Sequence, residues 1–267
     1  MKVARTIEQV RAALRGRNDI GLVPTMGALH EGHAALFEAA RAECGLAVAS
    51  IFVNPAQFGP AEDLATYPRD EERDLSFADR AGVDLVFIPS TDELYPEHFQ
   101  TWVEVEAIGD VLEGSVRPGH FRGVATVCLK LFNIVQPRRA YFGQKDAQQA
   151  AVVKLVVRDL NVDVDIRVVP TVRDADGLAL SSRNAYLSDA DRSVALALPR
   201  ALHAGEEAHR RGQDPVAAAR AILASEPSLE PDYVELARFN GALYLLGAAR
   251  VGRTRLIDNV ILEGALQ

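Results

Sequence analysis

With 267 residues, 48% of them hydrophobic and 25% charged, the chain has the make-up of an ordinary soluble globular protein, long enough for one large domain and a smaller one. A formal net charge of −8 argues against a general nucleic-acid or anionic-membrane binder, so any anionic ligand must meet a local cationic pocket. No apolar run approaches the ~18 residues of a membrane span, and the charge-interleaved start Met1-Lys-Val-Ala-Arg5 has no signal-peptide core, which points to the cytoplasm.

Apolar periodicity predicts, in chain order, a helix over 3–14, a strand over 20–23, a helix over 34–44 and a strand over 46–53. A charged amphipathic helix over 69–80 and a strand over 83–88, stopped by Pro89, follow. Next come a helix over 123–135, a short strand over 140–142, a helix over 144–160 and a strand over 162–168. Strands separated by helices of this length imply βαβ units, hence an α/β domain with a parallel sheet and right-handed crossovers. Beyond Pro170 and a polar segment over 173–184, two Ala-rich helices over 189–211 and 215–224 lead to strand-like runs over 233–239 and 253–261. This later part reads as a small α+β domain, with the division at residues 1–175 and 176–267. Cys44 and Cys128 lie in apolar helical contexts without metal-type spacing, so they read as buried thiols in a reducing compartment.

In an open parallel sheet, ligands bind beyond the carboxyl ends of the strands, and the polar clusters of this chain fall there. Val23-Pro-Thr-Met-Gly-Ala-Leu-His-Glu-Gly-His33 places His30 and His33 at a strand-to-helix junction. The first helical N–H groups and the positive end of the dipole favour a polyphosphate, and imidazoles beside them can donate to oxygens gaining negative charge near neutral pH. Alone, the same spacing could be a solvated turn with one capping histidine. In Phe52-Val-Asn-Pro-Ala-Gln-Phe58, Pro55 ends the strand and leaves the amides of Asn54 and Gln57 on a loop, able to bind hydroxyl and carboxylate groups; a plain Asn-Pro turn is the alternative. Phe142-Gly-Gln-Lys-Asp-Ala-Gln-Gln149 combines Gly143, which permits close ligand approach, with Lys145 and Gln149 at a spacing that shares one helix face. A lysine at a helix start opposes the dipole, which makes it suspicious; a solvated Lys-Asp pair at a helix entrance is the alternative. Ala179-Leu-Ser-Ser-Arg-Asn184 offers two hydroxyls and a guanidinium, donors suited to a triphosphate, or a plain loop. Arg117-Pro-Gly-His-Phe-Arg-Gly123 could be a mobile flap over the same cleft or a surface turn.

Together, Pro24-Thr-Met-Gly-Ala-Leu-His-Glu-Gly-His33, the Asn54/Gln57 loop, Arg117-Pro-Gly-His-Phe-Arg-Gly-Val124, Phe142-Gly-Gln-Lys-Asp146 and Leu180-Ser-Ser-Arg-Asn184 resemble, in order, the pantothenate synthetase family of the His-x-Gly-His nucleotidyltransferase superfamily. The resemblance covers the chain from near Met1 to about Leu187; the rest matches in length and α+β character. It implies a Rossmann-like N-terminal domain, a smaller C-terminal lid domain and a homodimer. It also implies ATP-dependent condensation of (R)-pantoate with β-alanine to pantothenate, AMP and pyrophosphate through a pantoyl-adenylate, in coenzyme A biosynthesis. By the same resemblance His30 and His33 act at the phosphates, His33 as proton donor, while Lys145, Ser181, Ser182 and Arg183 hold the β- and γ-phosphates. Met26, Gly143, Gln144, Asp146, Val172 and Leu180 shape the ATP site. Gln57 and Gln149 hold pantoate, and Gln57 also contacts β-alanine. Mg2+ is expected to ride in with ATP, since a hard hydrated ion is held mainly by phosphates. Two departures are visible: Leu180 stands where the family has Met, a swap that conserves volume, and Gln144 occupies a variable position. Two other functions share part of this pattern. A nucleotidyltransferase that keeps the nucleotide on its product has no use for the Asn54, Gln57 and Gln149 amides, and a non-catalytic nucleotide sensor needs no second-substrate entrance.

Overall fold

Short runs of Ile, Leu, Val and Ala buried on both faces form the central strands of the parallel sheet in a computed structural model that describes residues 1–60 and 62–266. Its strands and helices, in chain order, are β1 (Lys2–Ala4), α1 (Ile7–Leu14), β2 (Ile20–Thr25), α2 (Glu31–Glu43), β3 (Leu46–Ile51), α3 (Glu71–Arg80), β4 (Leu85–Phe87), α4 (Thr91–Leu94), α5 (Glu113–Val116), α6 (His120–Val135), β5 (Arg139–Gly143), α7 (Ala147–Asp159) and β6 (Asp165–Val169). The strand order is β1-β4-β3-β2-β5-β6. Side chains alternate across the sheet: Leu22, Val48, Leu85 and Ala140 join one core with residues of α1, α6 and α7. Val23, Ala49, Val86 and Tyr141 join the other, with residues of α2 and α3. From β2 the chain builds outward through β3 and β4, and from β5 it builds the other way, so the topological switch point lies between β2 and β5. The two cysteines are buried free thiols, and burial pushes Cys128 up to about 12.

Contacts divide the chain into two compact units, Met1–Phe142 with Gln148–Val169, and Gly143–Ala147 with everything from Pro170 onward. The second unit continues with α8 (Asp189–Ala195), α9 (Ala197–Arg210), α10 (Pro215–Ala224), β7 (Leu229–Phe239), β8 (Ala242–Val251) and β9 (Thr254–Glu263), the strands forming an antiparallel sheet β7-β8-β9. Leu198 and Leu202 of α9 and Leu223 of α10 pack on Leu245 and Leu256 of that sheet. Among the described residues no helix is long and apolar enough to cross a membrane.

Several elements differ from the sequence expectation, each for a local reason. The helix predicted over 3–14 is the strand β1 followed by α1, whose N-cap Thr6 accepts from the Gln9 N–H while the Gln9 side chain accepts from the Thr6 N–H. The helix predicted over 144–160 opens as a 3-10 turn, Gln144–Asp146, before α7 begins at Ala147. The helix predicted over 189–211 breaks at Leu196, because Pro199 has no N–H to return to the Ala195 carbonyl. The strand β8 was not predicted: it is buried at nearly every position and so lacks the alternation that marks a half-buried strand.

Candidate active site

The loop after β2 is tied down from several directions. The Thr25 hydroxyl donates to the Ser50 carbonyl at 2.7 Å and accepts from the Gly27 N–H at 3.2 Å. Gly27 and Ala28 both have positive φ, 81° and 51°, which turns the chain sharply. Asp74 of α3, only 2% exposed, accepts the N–H groups of Ala28 and Leu29 at 2.8 Å each and so fixes this turn. A Cβ on Gly27 would lie 2.7 Å from the Asp74 carboxylate, so glycine is required there by space as well as by φ.

His30 is the N-cap of α2 and His33 stands in its first turn, with ring centroids 4.2 Å apart. Nδ1 of His30 accepts the Gly32 N–H at 3.1 Å, and Nδ1 of His33 accepts the His30 N–H at 3.2 Å. An Nδ1 that accepts carries no proton, so each neutral imidazole has its N–H at Nε2. The result is a pair of adjacent ring donors in tautomers set by the backbone. This modifies the sequence expectation of open helix amides: Gly32 N–H is used by His30, and the N–H groups of His33 and Ala34 go to the His30 carbonyl at 2.7 and 3.1 Å.

Beyond β3, Pro55–Gln57 forms a 3-10 turn capped by Asn54, which is 1% exposed. Asn54 Oδ1 accepts the Ala56 N–H at 3.2 Å, and Nδ2 donates to Gln57 Oε1 at 3.0 Å and to the Gly123 carbonyl at 3.2 Å. Gln57 Nε2 donates to the Met26 sulfur at 3.1 Å. Met26, Asn54 and Gln57 are thereby brought together, and because a thioether is a weak acceptor, the Gln57 N–H is cheaply redirected to a substrate oxygen.

Arg117 and His120 are neither flap nor surface turn. His120 opens α6, 7% exposed, and both side chains hold the backbone of Gln57. Arg117 can only donate, so its 3.0 Å contact with His120 Nε2 makes that nitrogen the acceptor and leaves Nδ1–H to donate to the Gln57 carbonyl at 2.9 Å. The same guanidinium forks onto Glu62 at 2.9 and 2.7 Å. Burial first, and the neighbouring Arg117 charge second, push the His120 pKa down to about 4. A histidine whose folded pKa is depressed stabilises the fold fully above its unfolded pKa and loses that contribution as pH falls toward the folded value. Between about pH 7 and about pH 4.5 the protein is therefore expected to lose about 2 kcal/mol through His120 alone. Denaturant unfolding at both pH values checks this: His120→Gln should lose less than the parent over the interval, and an equal loss would show that His120 is not the titrating group.

The remaining predicted residues lie further along the chain. Lys145 stands in the Gln144–Asp146 turn, its Nζ 3.5 Å from the Asp146 carboxylate. Gln149 is half-buried on the first turn of α7, while its neighbour Gln148 is structural, donating to the carbonyls of Ile108 and Val111 at 2.7 and 2.8 Å. The polar segment over 173–184 is a bridged turn in which Arg173 pairs with Ala179 and the Leu180 N–H donates to the Val172 carbonyl at 3.0 Å, so Val172 and Leu180 are neighbours. Ser181 accepts the Arg183 N–H at 3.3 Å and starts the turn Ser182–Tyr186; Asn184 anchors it by donating to the Ala179 carbonyl at 3.0 Å. Arg192 braces the segment through Asp174 and Asp176 at 2.6 and 2.7 Å and holds the Asp176 carboxyl below its usual range. Among the described residues no three His, Cys, Asp or Glu side chains gather as a metal site.

The supporting residues Asp74, Arg117 and His120 were not singled out by role in the sequence. Asp74 sits in the run Glu71-Glu72-Arg73-Asp74, which reads as a solvated helix face; only its neighbour on the buried stripe, Ala78 at i+4, hints otherwise.

A family model described as Pantoate-beta-alanine ligase matches residues 2–261. The chain is 52% identical over 277 residues to the pantothenate synthetase of Herpetosiphon aurantiacus, covering 98% of this chain and all of that protein. It is 53% identical over 279 residues to that of Chloroflexus aurantiacus, covering 99% of each. Among solved structures, the pantothenate synthetase of Thermus thermophilus superposes with a TM-score of 0.95 at 47% identity, over 99% of this chain and 100% of that one. A pantoate-β-alanine ligase from Francisella tularensis, complexed with β-γ ATP and β-alanine, gives a TM-score of 0.84 at 35% identity over the whole of both chains.

Proposed function

The chain belongs to the pantoate-β-alanine ligase family, and from that premise we propose how its own residues carry the reaction. The activity is ATP-dependent condensation of pantoate with β-alanine, giving pantothenate, AMP and pyrophosphate. A pantoate carboxylate oxygen attacks the α-phosphorus of ATP and the bond to the bridging oxygen of pyrophosphate breaks. The amine of β-alanine then attacks the acyl carbon of the pantoyl-adenylate, loses a proton, and AMP leaves. The first step requires in-line placement and stabilisation of moving negative charge, with little covalent work for the protein.

The observation that carries the residue assignment is the paired imidazoles whose Nδ1 atoms are occupied by backbone N–H groups. Their Nε2–H groups suit phosphate oxygens, with His33 as the proton donor and His30 beside it. Lys145, Ser181, Ser182 and Arg183 take the β- and γ-phosphates as charge moves onto pyrophosphate. Gln57 and Gln149 hold pantoate, Gln57 also meets β-alanine, and Met26, Gly143, Gln144, Asp146, Val172 and Leu180 line the nucleotide. Mg2+ arrives with the ATP phosphates, since a hard hydrated ion is held mainly by phosphate oxygens. On this reading the enzyme works in the cytoplasm as a homodimer.

Purified protein given Mg-ATP, (R)-pantoate and β-alanine is expected to release AMP and pyrophosphate in equal amounts, AMP release requiring both organic substrates at steady state. With β-alanine left out, labelled pyrophosphate should still exchange into ATP. ADP and phosphate as products would rule out adenylate chemistry, and exchange that requires β-alanine would rule out the ordered intermediate.

A further inference from the structure

Within the second unit, the turn that carries Lys145 has no side-chain cap of its own. Its lysine also sits where the start of α7 presents the positive end of a helix dipole, which opposes this placement and leaves the neighbouring Asp146 carboxylate, 3.5 Å away, as its local counter-charge. The turn is held instead from β9. Asn259, 1% exposed, donates through Nδ2 to the carbonyls of Gln144 at 2.8 Å and Lys145 at 3.0 Å, and its Oδ1 accepts from Gln144 Nε2 at 3.3 Å. Asn259 is itself fixed: its N–H donates to buried Asp258 at 2.8 Å, and Asp258 takes a two-pronged contact from Arg173 at 2.7 and 3.0 Å. A continuous set of bonds therefore runs from Arg173, next to Val172, to the backbone of Lys145.

We propose that Asn259 is a positioning residue for Lys145, its carboxamide setting the backbone of the Gln144–Asp146 turn and hence where the ammonium stands against the triphosphate. This rests on the assignment of Lys145 to the phosphates. The role demands an amide: a carboxylate of the same size has no N–H to give and would face two carbonyl oxygens.

The test is a cycle of variants read by pyrophosphate–ATP exchange and by KM for ATP and for pantoate. Asn259→Asp and Asn259→Ala are expected to slow exchange about 10-fold, since misplacement of a positioning group is enough for losses of that size, with KM for ATP raised and KM for pantoate unchanged. In the Lys145→Ala background the same changes should cost less than about two-fold, because a group acting through Lys145 has nothing left to act on. If Asn259→Ala fails to fold, Asn259→Asp, unchanged in volume, completes the cycle. Exchange like that of the parent in Asn259→Asp would overturn the proposal, and so would an undiminished loss in the Lys145→Ala background, which would make Asn259 a support of the fold. Lys145→Ala with parental exchange would fail differently: it would remove Lys145 from the phosphates.

Discussion

Lys145→Ala and His33→Ala are each expected to lower pyrophosphate–ATP exchange by about 10² to 10³, the equivalent of about 2.7–4 kcal/mol of transition-state stabilisation, because each removes a donor aimed at charge that grows as pyrophosphate leaves. The two variants should differ in stability. The Lys145 ammonium pairs with the neighbouring Asp146 carboxylate and caps no helix, whereas His33 closes the capping box of α2 by accepting the His30 N–H. Losing that cap costs about 0.5–2 kcal/mol, so His33→Ala confounds chemistry with folding. His33→Gln separates them: glutamine is a natural third residue of a capping box and restores the acceptor without restoring the imidazole. The expected result is His33→Gln with parental thermal stability and the same large loss of exchange. Near-parental exchange in His33→Gln would show that the residue serves the helix and not the phosphate.

Gly123→Ala should be as damaging, by a steric route. Gly123 lies on α6 directly against the Pro55–Gln57 turn, and a Cβ there would sit 2.6 Å from the Gln57 nitrogen and closer still to the Ala56 carbonyl. Those neighbours are backbone, so no rotamer change relieves the contact; the turn or the helix must move. Overpacking of this kind costs about 1–3 kcal/mol and occasionally more. The displacement falls on the turn that places Gln57 and that Asn54 ties to the Gly123 carbonyl. A shift near 1 Å in a binding group can cost about 10² in rate, so pantoate-dependent exchange should drop by that order while nucleotide binding measured without pantoate stays near normal. Parental KM for pantoate in Gly123→Ala would show that the turn yields without disturbing Gln57.

What could be read from the sequence tracks how local the cause is. The βαβ alternation was legible because β2 to β5 are short, apolar and each followed by a helix, whereas β1, only three residues long, was hidden in the period of α1; the junction carrying His30 and His33 was legible because Gly27 and the first turn of α2 adjoin it. The strand β8 was not, since Ala242 to Val251 is buried almost throughout and shows no period at all. The break before Ala197 was written in Pro199, yet Ala-rich flanks hid it. The supports of the site were the least legible of all. Asp74 reaches Ala28 from 46 residues away, Arg117 reaches the Gln57 carbonyl from 60, and Asn259 reaches the Gln144 carbonyl from 115, and no pattern in a single chain encodes such pairings. Side chains that would touch substrate stand in short motifs, as do Asn54, Arg117 and His120 among their supports; what no motif carries is which distant partner each support holds.

Because the chain changes unit between Phe142 and Gly143, between Ala147 and Gln148, and between Val169 and Pro170, neither unit is a single stretch of polypeptide. The obvious cut, at Val169/Pro170, would leave Lys145 on one fragment and Asn259, which bonds to its carbonyl, on the other. Grafting the segment from Pro170 onward between relatives would likewise pair one protein's lysine turn with another's β9. An exchange of small domains in this fold therefore has to carry the pentapeptide Gly143–Ala147 with it, as a cassette in two pieces.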